Sequence, residues 1–339
     1  MEGSLTRPTK PQPAHPLPWL LAAVLALVVV ILGAYTRLSD AGLGCPDWPG
    51  CYGHVGVPAS PAALDRANEA FVQRPVEPAK AWKEMVHRYA AGLLGLVVLG
   101  LTLSAWRRAA GRALATALLV LIVFQAALGM WTVTLLLKPV VVMGHLLGGF
   151  SVLSLLWLGY LGARSFVPTR QRPPVRLRRL MLVGIAVLVV QIALGGWTSA
   201  NYAALACPTF PKCMGEWWPP MDMADGFVMW RGLGVNYEFG VLDSPARVAV
   251  HMAHRAWAVV TFLYLAAVGI YALRQPGPLR AAAAVMLTLL VAQVSLGIAN
   301  VWLHLPLPVA AAHNAVAALL LLALLTLIHT LYRSGAARG

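Results

Sequence analysis

Eight long apolar stretches alternate with polar segments along this chain. They run roughly over 17–35, 82–105, 113–137, 139–162, 177–199, 246–272, 279–303 and 308–332. Each approaches or exceeds the roughly 20 residues that carry a helix across the hydrocarbon core of a bilayer. Backbone polar groups in lipid must be satisfied within the segment, so each stretch is predicted to be a transmembrane helix. The first follows a polar head containing Arg7 and Lys10, as a cleaved signal peptide would. Its end matches the end of the fifth stretch, so it reads as a retained helix.

Composition agrees with the pattern. The 339 residues are 59% hydrophobic and only 11% charged, where soluble domains carry about 25% charge. An intrinsically disordered chain and an ordinary soluble enzyme are both excluded. The net charge of +14 would raise the question of nucleic acid in a soluble protein. Here 15 of the 26 Lys and Arg fall in the head, 106–112, 164–179, 273–280 and the tail. By the positive-inside rule those segments face the cytoplasm, and no nucleic-acid partner is expected. Eleven of the twelve acidic residues lie on or near the other side; Glu2 is the exception. Both termini are then cytoplasmic, and the long loops 37–81 and 200–245 face outward.

The two halves repeat. Gly33-Ala34-Tyr35-Thr36 ends the first stretch and Gly195-Gly196-Trp197-Thr198 the fifth. Nine residues after each Thr begins Cys-Pro-x-aromatic-Pro-x-Cys, at Cys45–Cys51 and Cys207–Cys213. His87-Arg88 matches His254-Arg255, Gln125…Gly129 matches Gln293…Gly297, and His145 matches His313. The offsets are 162, 167, 168 and 168. The expected architecture is an all-α integral membrane protein of two parallel-repeat four-helix bundles. Its divisions are a head (1–16), an N-terminal half (17–164), a linker (165–175) and a C-terminal half (176–333). Parallel repeats place their pseudo-axis along the membrane normal.

Taken singly, each histidine has a plain reading as a polar contact between helices. As a set they pair. Each half has one His on its second stretch and one on its fourth, and all four lie near the outer ends. Two histidines at matched depth on facing helices can supply both axial ligands of a haem iron. Zinc would need further ligands from an apolar neighbourhood. Arg88 and Arg255, turned about 100° from their histidines, could reach haem propionates or simply snorkel. Glu84 lies three residues before His87, on the same helical face, and its twin is His251. That swap is the main chemical difference between the halves. The cysteine pairs read either as structural disulfides, Cys45–Cys51 and Cys207–Cys213, or as redox-cycling pairs.

These residues bring a family into view. Thr36-Arg37-Leu38, Gly42-Leu43-Gly44-Cys45-Pro46-Asp47-Trp48-Pro49, Glu84-Met85-Val86-His87-Arg88, His145, the Asn201…Cys207 stretch, His254-Arg255 and His313 together resemble the haem A synthase family. They resemble its cysteine-bearing bacterial branch in particular. The resemblance implies a multi-pass enzyme of the bacterial inner membrane that oxidises the C8 methyl of haem O to the formyl of haem A by successive hydroxylations. It implies haem b held by His254 and His313, haem O bracketed by His87 and His145, and Glu84 as the catalytic carboxylate. Haem O synthase and a terminal oxidase are then expected neighbours; the electron partner and oligomeric state stay open. Two other readings compete, a di-haem b-type cytochrome for electron transfer and a haem carrier. A cytochrome of that kind often stacks two histidines on each of two helices, unlike the one-per-helix set here. Simple carriage has little use for Glu84.

Overall fold

A computed structural model describes residues 15–108, 110–164 and 174–336. The head to residue 14 and the linker over 165–173, with Arg170 and Arg172, lie outside the described residues. Ten helices follow in order: α1 (Pro16–Leu38), α2 (Pro61–Ala70), α3 (Pro78–Arg108), α4 (Arg112–Thr134), α5 (Pro139–Ala163), α6 (Val175–Ala200), α7 (Met223–Gly226), α8 (Ser244–Leu273), α9 (Pro278–Trp302) and α10 (Leu307–Ala336). Eight of them are long and apolar enough to cross a membrane, and they coincide with the eight predicted stretches. The short α2 and α7 lie in the two long loops that carry the cysteines and have no apolar run that would announce them.

Local chemistry sets several helix starts. Prolines occupy the first turns of α1, α2, α5, α8 and α9, where a missing N–H leaves nothing unpaired. Ser60 and Asp243 cap α2 and α8 by accepting from the N–H groups of Ala63 and Ala246. The third stretch, expected to 137, ends as α4 at Thr134. Leu136 and Leu137 take positive φ values of 52° and 60° to make the tight turn before Pro139. His304 and Leu305 do the same, at 57° and 61°, between α9 and α10. The apolar side chains of 135–137 disguise that turn as helix.

Helices α1, α3, α4 and α5 pack in a closed ring, each against the next, with α5 returning to α1. Helices α6, α8, α9 and α10 do the same. The rings meet where α1 touches α10 and where α5 touches α6 and α10. One apolar core runs through both, from Trp19, Leu94 and Phe150 to Leu188, Leu265 and Leu324. Leu21, Leu93, Leu96, Val120, Leu263 and Val291 point outward and are more than half exposed; on helices of this length such a surface belongs to lipid. No strand occurs among the described residues.

Trp19 of α1 lies against Gly159 of α5 and is 6% exposed. A Cβ at Gly159 would sit 2.1 Å from its Cε3 atom. Gly159→Leu is therefore expected to destabilise the protein by about 1–3 kcal/mol, the usual cost of overpacking. The check is the thermal unfolding midpoint in detergent. Gly162→Ala, where an added Cβ meets nothing within 4 Å, should leave it unchanged.

Candidate functional site

The four matched histidines are seated by one repeated device. Each imidazole rests on a glycine of a neighbouring helix. A Cβ added at Gly33 of α1 would lie 2.9 Å from Cε1 of His87 on α3, and one at Gly129 of α4 would lie 3.2 Å from Cε1 of His145 on α5. In the second ring Gly195 of α6 faces His254 of α8 at 3.1 Å, and Gly297 of α9 faces His313 of α10 at 3.2 Å. At Gly33 that distance is shorter than a Cβ contact allows, and at the other three it is tight enough that a larger residue would press on the ring, so glycine makes room for it.

The rings of His87 and His145 are 6.4 Å apart between centroids, at 85° to each other. An imidazole nitrogen sits about 2 Å from a metal it binds, so two imidazoles on opposite sides of one ion have centres roughly 6 Å apart. The Nδ1 atoms of His87, His145 and His313 are buried without a hydrogen-bond partner. Unspent imidazole nitrogens in an apolar interior suit metal ligation. Among the described residues no three His, Cys, Asp or Glu side chains converge on a point, which does not suit zinc. A pair of imidazoles in each half is a donor set that would fit a haem iron.

Glu84 is 4% exposed. Its Oε2 accepts from the N–H of Cys45 at 2.8 Å, and its Oε1 accepts from Nη2 of Arg88 at 2.5 Å. The same Arg88 donates through Nη1 to the carbonyls of Asp47 at 2.9 Å and Gly50 at 2.5 Å. The second half repeats this with different chemistry. Nδ1 of His251 lies 3.3 Å from the backbone nitrogen of Cys207 and Nε2 lies 3.0 Å from Nε of Arg255; a neutral imidazole accepts at one of these two nitrogens, whereas the carboxylate of Glu84 accepts at both its oxygens. Arg255 then donates to the carbonyls of Thr209 and Cys207. Glu84 and His251 are thus true counterparts, each joining a helix to its cysteine loop.

Both disulfides are formed, Cys45–Cys51 and Cys207–Cys213, and all four cysteines are fully buried. The guanidiniums of Arg88 and Arg255 hold the disulfide loops. Such a loop, stiffened by two prolines, leaves several carbonyls without backbone partners, and a guanidinium fork satisfies several at once. Beside the first loop, burial pushes the phenol of Tyr52 above its ordinary value, with the Glu77 carboxylate adding to the effect.

Sequence reasoning missed three features. Arg37 donates through Nη2 to the carbonyl of Ser199 at 2.6 Å and stacks over Tyr202 at 4.0 Å, tying α1 to α6. Lys138, 2% exposed at the start of α5, donates to the carbonyl of Gly232 and lies 3.3 Å from the Trp230 ring centre. The 228–240 segment also reaches the first half through the N–H of Tyr237 on the Leu136 carbonyl and an ion pair of Glu238 with Arg74 at 3.4 Å. It forms a strap across the outer face of the first ring. A lone lysine beside an apolar run was the only hint of it in the sequence.

The chain matches the COX15-CtaA family, described as cytochrome oxidase assembly protein, over residues 18–325. It is 50% identical over 320 residues to a protein of Shewanella oneidensis named "Heme A synthase", covering 93% of this chain and 97% of that one. A protein of the same name from Rhizorhabdus wittichii is 31% identical over 96% of this chain and 97% of its own length. Another from Granulibacter bethesdensis is 28% identical over 92% and 85%. With a match that spans all eight membrane helices and both cysteine loops, this chain belongs to the COX15-CtaA family.

Proposed function

We propose that this chain is a haem A synthase, a membrane oxidoreductase that converts haem O to haem A by successive hydroxylations of the C8 methyl to the formyl. The observation that carries the reading is half identity to a protein of that name along nearly the whole length of both chains. The four glycine-seated histidines support it, because they supply two donor pairs of the kind the reaction needs.

His254 and His313 would hold haem b as the resident cofactor, and His87 and His145 would bracket haem O as substrate. Haem b, when bound, supplies one-electron transfer. The chain's own residues do the rest. The glycine seats fix where each imidazole stands. The apolar helices around them keep water away, which strengthens every electrostatic interaction inside. Glu84 places a carboxylate at the head of α3, one turn from His87. A carboxylate there can accept a proton or stabilise positive charge developing on the substrate. Its twin His251 offers a single hydrogen-bond acceptor and no negative charge.

The protein would lie in a bacterial inner membrane with both termini in the cytoplasm and both disulfide loops outside, a compartment where disulfides persist. The halves would superimpose about an axis along the membrane normal. The bond from Arg37 to Ser199, its own repeat mate 162 residues on, supports that placement of the axis. Haem O synthase and a terminal oxidase would be its neighbours in supply and use.

Glu84→His tests the chemistry. A histidine can keep the clamp, as His251 does in the second half, but it removes the carboxylate. Haem extraction and chromatography from expressing cells should show haem b retained, haem O or its alcohol accumulating, and haem A falling at least tenfold. Glu84→Gln should behave alike. Normal haem A from both variants would leave Glu84 as a loop clamp alone.

His254→Ala and His313→Ala should each remove low-spin haem b from the purified protein, while His87→Ala keeps most of it, read by pyridine haemochrome spectra. The reverse pattern would exchange the roles of the two halves.

Reporter fusions within 214–245 should register outside the cytoplasm; a cytoplasmic signal would overturn the orientation.

A further inference from the structure

The repeated spacing Gln125…Gly129 and Gln293…Gly297 has no part in the reaction as described above. Residues four apart lie one above the other on a helix face. Each glycine seats an imidazole, so the glutamine one turn away lies beside the same histidine. A third such pair, Gln191 and Gly195, occurs on α6. At the fourth seat, Gly33 of α1, the residue one turn earlier is Val29.

The amides do different things in the two halves. Nε2 of Gln191 lies 3.2 Å from Nδ1 of His254 and 3.4 Å from its carbonyl oxygen. Nε2 of Gln293 lies 3.2 Å from Nε2 of His313, the opposite ring nitrogen from the one Gln191 meets, so that Nδ1 of His313 is the nitrogen left without a partner. Both rings of the C-terminal pair are therefore held by an amide. In the N-terminal half the Gln125 amide donates to the carbonyl of His145 at 2.5 Å, and the ring of His145 meets Gln125 only at its backbone. Val29 has no side-chain amide to offer His87, whose ring meets only the Val29 backbone. Both rings of the N-terminal pair go without a side-chain hydrogen bond among the described residues; the unpartnered Nδ1 is common to His87, His145 and His313 and does not distinguish the halves.

We propose that Gln191 and Gln293 are positioning residues that lock the ring orientations of His254 and His313, making the C-terminal pair a permanent site, and that Val29 leaves His87 free to release its ligand. This rests on the reading that the histidines bind haem. A resident cofactor needs ligands that never let go, whereas a substrate must enter and product must leave on every turnover. A partner on the second ring nitrogen fixes tautomer and plane and raises the donor strength of the other nitrogen. Amide oxygen and nitrogen have nearly the same shape. With its amide turned, Oε1 of Gln191, buried without a partner, accepts from Nδ1–H of His254. The other ring nitrogen is then left to the iron.

The test uses the purified full-length holoprotein. Gln191→Leu and Gln293→Leu should keep most of the haem b but shift its low-spin electron-paramagnetic-resonance g-values and raise its midpoint potential, since a weaker donor favours ferrous iron. Gln191→Glu restores an acceptor and should reverse the potential shift. Should a leucine variant lose haem b, recovery of haem b in Gln191→Glu supports the proposal, and failure to recover overturns it. Val29→Gln builds the missing amide. It should raise at least twofold the substrate-type haem that stays with the protein through gel filtration, leaving the haem b spectrum unchanged. Leucine variants with unaltered g-values and potential overturn the proposal while the haem reading stands. Unmodified protein that binds no haem b would instead overturn that reading.

Discussion

Close helix approach at four glycines is the constraint on which the rest of the molecule depends. A bilayer offers little hydrophobic reason for one helix to prefer another, so packing and polar contacts decide which helices meet. An imidazole inside lipid is costly unless its polar atoms find partners. Gly33, Gly129, Gly195 and Gly297 let a ring settle into the body of the neighbouring helix. Each seat involves two helices of the same ring, α1 with α3, α4 with α5, α6 with α8 and α9 with α10. The four seats thereby fix the pairing of all eight spanning helices. A side chain at any of them would press on the imidazole, most at Gly33, where an added Cβ would lie 2.9 Å from the ring.

Around that shared frame the halves diverge at one position in each layer. In the outer layer Glu84 stands where the other half has His251, and both serve their loops as hydrogen-bond acceptors. In the inner layer Val29 stands where the other half has Gln191. The first change adds a negative charge to the N-terminal half. The second takes an amide away from it. On the proposed reading both push one way, toward a site that is more reactive and less rigid. Duplication gives two equal sites, and a small number of substitutions is enough to make them chemically unlike.

Much of this was legible in the sequence because lipid imposes simple rules. The eight spans, the repeat and the histidine pairs follow from apolar length and spacing, and the structure places the helices close to those bounds. The Glu84–His251 equivalence also follows from the three-residue offset before each histidine. What stayed hidden depends on contacts between distant parts of the chain. Arg88 and Arg255 sit beside histidines in sequence, yet their guanidiniums bond to loops about forty residues away in the chain, and no local pattern signals that choice. Gln191 escaped the repeat comparison because its mate is a valine, so a functional difference looked like a failed match. The turn at Leu136 and Leu137 was masked by its own hydrophobicity.

The outer strap argues that the halves do not act as separate modules. Lys138 starts α5, the helix that carries His145 two turns further along. Its ammonium is buried against Trp230 and the Gly232 carbonyl, both contributed by the loop between α6 and α8. A buried lysine without a carboxylate would be a liability; the carbonyl and the aromatic face offset that cost. The strap is therefore held by a charge that belongs to the N-terminal half, and Arg74–Glu238 adds a second tie nearby. Arg37 works in the opposite direction, from α1 to Ser199 and Tyr202 of the second half. Each half thus anchors a part of the other near the outer surface, just beyond the histidines. These contacts join the two halves, and neither half could form them alone.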